Sequence, residues 1–367
     1  MAELALTELL TLMEQKDASD LHLHTGIKPV MRIKGHLVTL DDHPEVEEGW
    51  LHEALYELVS DKKMKQFEEE GTVDAAAEIP GVGRFRMSVY LRRGTIALAC
   101  RRITKNIPSF EQLHLPPSIA KITEFPLGLV LATGPTGCGK STTLAALINH
   151  INHTRKCHII CIEDPIEFVY ENDKAIITQR EVGNDVKSFQ DALKYSVRQD
   201  PDVILVGEIR DLPTLEFALH GAETGHLVFG TLHSADATQT IERILNFYPQ
   251  NLHPQVRKTI SMHLKAVVSQ ILLPGIRPDI PLLPACEIMF MNPTISRLIK
   301  EGQDDKIIRA IKAGQRDGMQ DMEFALYERV VSKLVAKEVA MEFAENPQSL
   351  EMKIKGIFLG EEGGIIG

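Results

Sequence analysis

Gly134-Pro135-Thr136-Gly137-Cys138-Gly139-Lys140-Ser141 is the stretch on which the fold turns. It has the G-x-x-x-x-G-K-S spacing, and it lies between an apolar run, Leu129 to Ala132, and the helical pattern Ser141 to Ile151. That is the strand–loop–helix context in which the spacing binds phosphate. The glycines let backbone N–H groups turn toward an anion, and the helix N-terminus adds positive potential. The loop Gly134, Pro135, Thr136, Gly137, Cys138, Gly139, Lys140, Ser141 and Thr142 is therefore the expected nucleotide cradle. Lys140 is expected to reach the β and γ phosphates and Ser141 to ligate Mg2+.

Working outward, three further short apolar runs follow the first: Ile159 to Ile162, Val203 to Val206 and Leu227 to Leu232. They alternate with helical patterns such as Lys187 to Arg198, as a parallel sheet with crossover helices requires. Ligands of such sheets gather at the carboxyl ends of the strands. Those ends carry the phosphate loop, Glu163-Asp164, Gly207-Glu208 and His233. Hydrolysis needs one carboxylate near the metal and another to orient or deprotonate water. Glu208, after Asp202-Val203-Ile204-Leu205-Val206-Gly207, is the candidate metal-side acid with Ser141. Glu163 is the general-base candidate, with Asp164 in reserve, although strand order decides which glutamate approaches the γ phosphate. His233 is the candidate γ-phosphate sensor, and His226 is equally well read as structural.

Before the connector Thr104 to Pro117, the chain mixes strands and helices in an α+β pattern. Leu4 to Gln15 is helical, Ser19 to His24 alternates with period two, a hairpin is expected at Lys34-Gly35, and Glu45 to Glu70 forms acid-rich helices. In Arg84-Phe85-Arg86-Met87-Ser88-Val89-Tyr90-Leu91, Phe85, Met87, Val89 and Leu91 share one face. A two-residue turn at Arg93-Gly94 sets Arg92 against Thr95 and hence Arg86 against Arg101. Like charges so opposed repel unless an anion or acid lies between them. Both arginines are thus candidates for reaching a nucleotide, against the alternative of pairing with local acids. Beyond Pro254 the pattern reads as mostly helical, through Leu273, Thr294 to Ile299, Asp305 to Ala313 and Met319 to Val335. The Gly-rich end, Gly360 to Gly367, is expected to fray.

Composition narrows the function. The 367 residues hold 40 Lys plus Arg against 51 Asp plus Glu, a net charge of −11. That disfavours a nucleic-acid translocase, and no basic, aromatic strand-binding surface is evident. The five cysteines are scattered, so neither a disulfide framework nor a zinc site is expected from Cys157 and Cys161. No apolar run reaches the roughly 18 residues that span a bilayer, so a cytoplasmic location without direct membrane insertion is expected. An Asn-Lys-x-Asp base-reading motif, which would mark a GTPase, does not occur.

The whole set of motifs resembles the secretion and type IV pilus ATPases, and within them the retraction branch of PilT and PilU. Ser19-Asp20-Leu21-His22-Leu23, the phosphate loop, the acidic box Ile162 to Glu167, the Walker B segment Val206 to Asp211 and the histidine box Thr224 to His233 carry the resemblance. It implies a PAS-like domain over 1–103, a linker over 104–117 and a RecA-like ATPase domain with a helical C-terminal region over 118–367. It further implies a homo-hexameric ring that hydrolyses ATP to remove pilin at the inner-membrane base of a pilus, against a platform protein and with no nucleic acid. Arg86 and Arg101 map onto the family's small-domain arginines. Extension and secretion motors usually carry a four-cysteine zinc motif that this chain lacks, which favours retraction. Where typical members begin a motif with Ala-Ile-Arg, this chain reads Thr294-Ile295-Ser296-Arg297-Leu298-Ile299. The alternative is accordingly an accessory PilU-like paralogue that assists another retraction ATPase.

Overall fold

The structure is a computed structural model that describes residues 5–33, 35–103, 106–359 and 365–366. Residues 1–106 with 167–169 form one compact unit, and 107–166 with 170–367 form the other.

In the first unit, β1 (Ala18–His24), β2 (Val30–Ile33), β3 (His36–Thr39), β4 (Thr72–Ile79), β5 (Gly83–Arg92) and β6 (Thr95–Ile103) build an antiparallel sheet ordered β3-β2-β1-β6-β5-β4. Leu9, Leu10 and Met13 of α1 (Leu6–Gln15), Leu51 and Leu55 of α2 (Glu48–Leu58) and Met64 of α3 (Asp61–Glu70) share its core with Leu21, Phe85, Met87 and Val89. Alternation drives this arrangement, because every second side chain of β5 points into the core. Leu91 departs from that expectation: it is 50% exposed, since it lies at the hairpin tip where the core ends. Arg93 and Gly94 both have positive φ, 52° and 81°, the signature of a two-residue type I′ turn. Arg92 faces Thr95, Arg86 faces Arg101 and Arg84 faces Ile103, the register expected from the turn. A second hairpin pairs Ile33 with His36, while Lys34 in its turn lies outside the described residues.

The second unit is an α/β fold. Its strands are β7 (Gly128–Thr133), β8 (His158–Glu163), β9 (Ile176–Glu181), β10 (Val203–Val206), β11 (Leu227–Leu232), β12 (Leu264–Pro274) and β13 (Leu282–Phe290), ordered β13-β12-β7-β11-β10-β8-β9. All neighbours are parallel except β12 and β13. The four expected runs form the buried centre, which brings their carboxyl ends to one edge. Helices α4 (Lys140–Thr154), α5 (Phe189–Ser196), α6 (Leu212–Glu223), α7 (Ala237–Leu245) and α8 (His253–His263) connect them. Then follow α9 (Pro293–Glu301), α10 (Ile307–Ala313), α11 (Met322–Val331), α12 (Lys337–Phe343) and α13 (Pro347–Ile354).

Two differences from the sequence reading have physical causes. The helix expected over Pro254 to Leu273 stops at His263, and Leu264–Pro274 is a strand, as Ala266 to Gln270 are buried too completely to show a two-residue period. Within the expected connector, Phe110 and Leu115 are buried, Phe110 stacks on His150 with ring centroids 5.0 Å apart, and Arg329 donates to the His114 carbonyl at 2.5 Å. Residues 107–117 are thus packed chain. At the C-terminus Phe358–Leu359 pairs with Ile365–Ile366, and the rest of the expected frayed tail, 360–364 and 367, lies outside the described residues. No helix among the described residues is long and apolar enough to cross a membrane.

Candidate functional site

Glycine geometry shapes the phosphate loop. Gly134, Gly137 and Gly139 have φ of 138°, 79° and 89°, and a Cβ on Gly134 would stand 2.2 Å from the Gln270 carbonyl oxygen. The backbone of β12 therefore presses directly on the loop, leaving no room for a side chain. Lys140 is only 8% exposed, and its Nζ donates to the carbonyls of Gly134 and Pro135, both at 2.9 Å. The ammonium is held across the mouth of the cradle.

A brace that sequence reasoning missed supports it. Gln270 is buried on β12; its Nε2 donates to the Cys138 carbonyl, and its Oε1 accepts from Thr143 Oγ1 at 2.9 Å. One residue earlier, Thr133 Oγ1 donates to Ser269 Oγ at 2.8 Å. The available signal was Ser269-Gln270 interrupting an otherwise apolar run, since a buried amide requires partners.

The two glutamates lie at the carboxyl ends of the neighbouring strands β8 and β10, Glu208 one residue further along than Glu163, in different surroundings. Glu163 ends β8 and is buried, whereas Asp164 beside it is exposed. Gly207 lets the end of β10 come close, for a Cβ there would lie 3.3 Å from Glu163 Cα. From β9, Gln179 Nε2 donates to Glu163 Oε1 at 3.4 Å. The neighbouring Glu181 accepts from the Ile166 N–H at 3.2 Å and from Asn184. Glu208 instead accepts from Arg210 Nη2 at 2.7 Å, and its other oxygen lies 3.3 Å from His233 Nε2. The Arg210 hydrogen bond holds its carboxyl below the usual range against partial burial, helped by the charges of Arg210, His233 and Lys140. Glu208 is thus kept ionised, and the structure brings it to His233.

The strand ends are tied together below these groups. Thr231 Oγ1 donates to the Gly207 carbonyl at 2.7 Å, and the Ile209 N–H donates to the Thr231 carbonyl at 3.0 Å. Asp211 caps α6 through the Thr214 N–H, and Asp236 caps α7 through the Gln239 N–H. His226 sits 3.0 Å from the Gly221 carbonyl and 3.2 Å from Thr224 Oγ1, partners that give it a place in the α6 turn.

Arg86 and Arg101 belong to the other unit, where both have acidic neighbours. Arg101 Nε donates to Asp20 Oδ1 at 2.8 Å, and Arg86 Nη2 lies 3.6 Å from Asp74 Oδ2. Burial acts to raise Asp20, but hydrogen bonds from Arg101 and Ser19 outweigh it and hold this carboxyl below its ordinary value. Local acids therefore answer the repulsion argued from the hairpin register, and a bound phosphate is not needed to explain why the pair is tolerated. Both guanidinium groups still keep substantial exposure, 42% and 69% of their side chains.

A glycine-shaped anion cradle at the end of the central parallel strand β7, with acids at the same ends of β10 and β8 in that sheet, defines a RecA-like P-loop ATPase fold preceded by a smaller α+β, PAS-like domain. Residues 103–356 match the family described as Type II/IV secretion system protein, and the chain belongs to that family. It is 41% identical over 344 residues to the type IV pilus retraction ATPase PilT of Pseudomonas aeruginosa, covering 94% of this chain and 99% of that protein. It is 38% identical over 356 residues to the type IV pilus ATPase PilU of the same organism, covering 97% and 92%. A crystal structure of the pilus retraction motor PilT with bound ADP superposes with a TM-score of 0.88 at 43% identity, over 95% of this chain and 99% of that one.

Proposed function

We propose that this chain is an ATP-hydrolysing motor of type IV pilus retraction, acting as a homo-hexamer at the cytoplasmic face of the inner membrane, against the platform protein of the pilus machine. The observation that carries hydrolysis is Glu208 beside His233 and within the electrostatic reach of Lys140, with Glu163 on the next strand end, and the likeness to PilT supports retraction. In this reading the domains are 1–103 and 118–367, joined by 104–117. Gly134 to Thr142 cradle the phosphates of ATP, and Lys140 neutralises charge on the β and γ groups. Ser141 and Glu208 offer a hydroxyl and an ionised carboxylate, the hard oxygen donors that Mg2+ takes. Bound there, the ion would neutralise phosphate charge.

Glu163 orients a water and accepts its proton, while His233, already beside Glu208, senses the γ phosphate. Arg86 and Arg101 supply further positive charge from the PAS-like domain, across a subunit boundary in the ring. The charge of −11 supports a protein partner over nucleic acid.

Two experiments test the reading. Purified protein should hydrolyse ATP, and Lys140→Ala should abolish turnover in an assembled ring. Deleting the gene in its host should leave excess pili and lost surface motility. A mild defect, with hydrolysis appearing only beside a paralogous motor, would instead assign the accessory role.

A further inference from the structure

We propose that Gln179 is a positioning residue for Glu163, fixing the carboxylate of the general base from the neighbouring strand; this rests on the reading of Glu163 given above. Gln179 stands on β9 opposite Cys161 of β8, two residues before Glu181, which stands opposite Glu163. Its side chain reaches the base, with Nε2 donating to Glu163 Oε1 at 3.4 Å. Its other end is engaged too, for Gln179 Oε1 accepts from the Tyr170 N–H at 3.0 Å.

That second bond decides the orientation of the amide. A backbone N–H has only a proton to offer, so the carboxamide must turn its oxygen to Tyr170, and its NH2 is then committed to the carboxylate. One side chain thus joins the base to the chain that follows it. Glu181 ties the same segment nearer its start, by accepting from the Ile166 N–H at 3.2 Å. Glutamine suits the task chemically. It orients the Glu163 carboxylate with a neutral donor, whereas Glu208 is held by the charged guanidinium of Arg210. Glu208 meets the guanidinium of Arg210 and the imidazole of His233; Glu163 meets an amide.

Two variants separate the two ends of the amide. Gln179→Glu keeps an acceptor for the Tyr170 N–H but faces Glu163 with a carboxylate. Gln179→Met loses both bonds at similar size. A purely structural role makes Gln179→Met the worse variant in both melting temperature and turnover. Positioning of the base predicts the reverse order for turnover: Gln179→Glu should melt close to the parent, yet lose roughly tenfold to a hundredfold in kcat per nucleotide-binding site, with KM for ATP unchanged.

The double variant supplies the coupling. In single-turnover assays with labelled ATP, Gln179→Glu should cost little further once Glu163→Gln is present, because a residue acting through Glu163 has nothing left to position. Full activity of Gln179→Glu, or the same fold-loss in both backgrounds, would overturn the proposal while leaving Glu163 as the base. Normal turnover of Glu163→Gln would instead remove the reading of Glu163, an outcome distinct from either.

Discussion

Glu163 ends β8 and Glu208 lies just past the end of the adjacent parallel strand β10, and their neighbours make them different acids. Glu163 is buried and met by a neutral amide; Glu208 is part-exposed, bound by Arg210 and beside His233. A carboxylate clasped by cations is a poor base, since its charged form is already stabilised, but it is well suited to hold a metal or its water. The Gln179 amide is a neutral donor and does not stabilise a carboxylate's charge as a guanidinium does, which suits a group that must take a proton from water. Strand order alone left their roles open, whereas the surroundings favour Glu163 as base.

The largest effect should follow from breaking this contrast at Glu163. Glu163→Gln should retain ATP binding and lose nearly all turnover, because the amide keeps the shape and cannot take a proton; nucleotide-binding and single-turnover assays check it. Glu208→Gln should weaken Mg2+ binding during hydrolysis, read as a higher metal concentration for half-maximal rate. If Glu208→Gln alone gave a bound but inert state, the two roles would be exchanged.

The arginine hairpin sharpens the comparison from the side of the cations. Arg101→Ala and Asp20→Asn both break the 2.8 Å pair, so a merely structural pair predicts equal losses. Action on nucleotide predicts that Arg86→Ala and Arg101→Ala depress hydrolysis well beyond Asp20→Asn and beyond Arg84→Ala, with melting temperatures nearly unchanged. Mixing Arg86→Ala with Lys140→Ala subunits should restore some activity if the arginine acts across a boundary. No rescue in verified mixed rings would argue for action within one subunit.

Much of this was legible because it is local. The loop lies between a strand and a helix within one short stretch, and the β5–β6 register follows from Arg93-Gly94 and a two-residue period. The strands β12 and β13 hid because they are buried along most of their length, which erases alternation. Gln270 hid for another reason: its partners Thr143 and Cys138 lie 127 and 132 residues away in sequence, a distance no local pattern encodes. Gln179 was missed likewise, since Thr178-Gln179-Arg180 reads as an ordinary polar edge until β9 is seen to pair with the strand that ends in Glu163.

The smallest effect concerns a third acid of the same sheet, one met by a backbone N–H and surrounded by other acids. Glu287 of β13 is 2% exposed, its Oε1 accepts from the Ala237 N–H at 2.8 Å, and its charged influences are the acids Asp236, Asp321 and Glu345. Burial, with those acids, pushes its carboxyl from 4.5 to about 7 despite the Ala237 bond. A folded-state value above the unfolded one means that folding takes up a proton between them, so this contribution is fully present below about 4.5 and is lost as pH rises through about 7. At about 1.4 kcal/mol per unit, the loss is on the order of 3 kcal/mol. Glu287→Gln keeps an oxygen for the Ala237 N–H and removes the titration. Unfolding free energies from urea melts at fixed protein concentration should therefore fall between pH 5 and pH 8 more steeply in the parent than in Glu287→Gln, with the variant the more stable at pH 8. Equal pH slopes would show that Glu287 is already paired or hydrated well enough to ionise at its ordinary value, and the ordering of the three acids by their neighbours would fail at its last member.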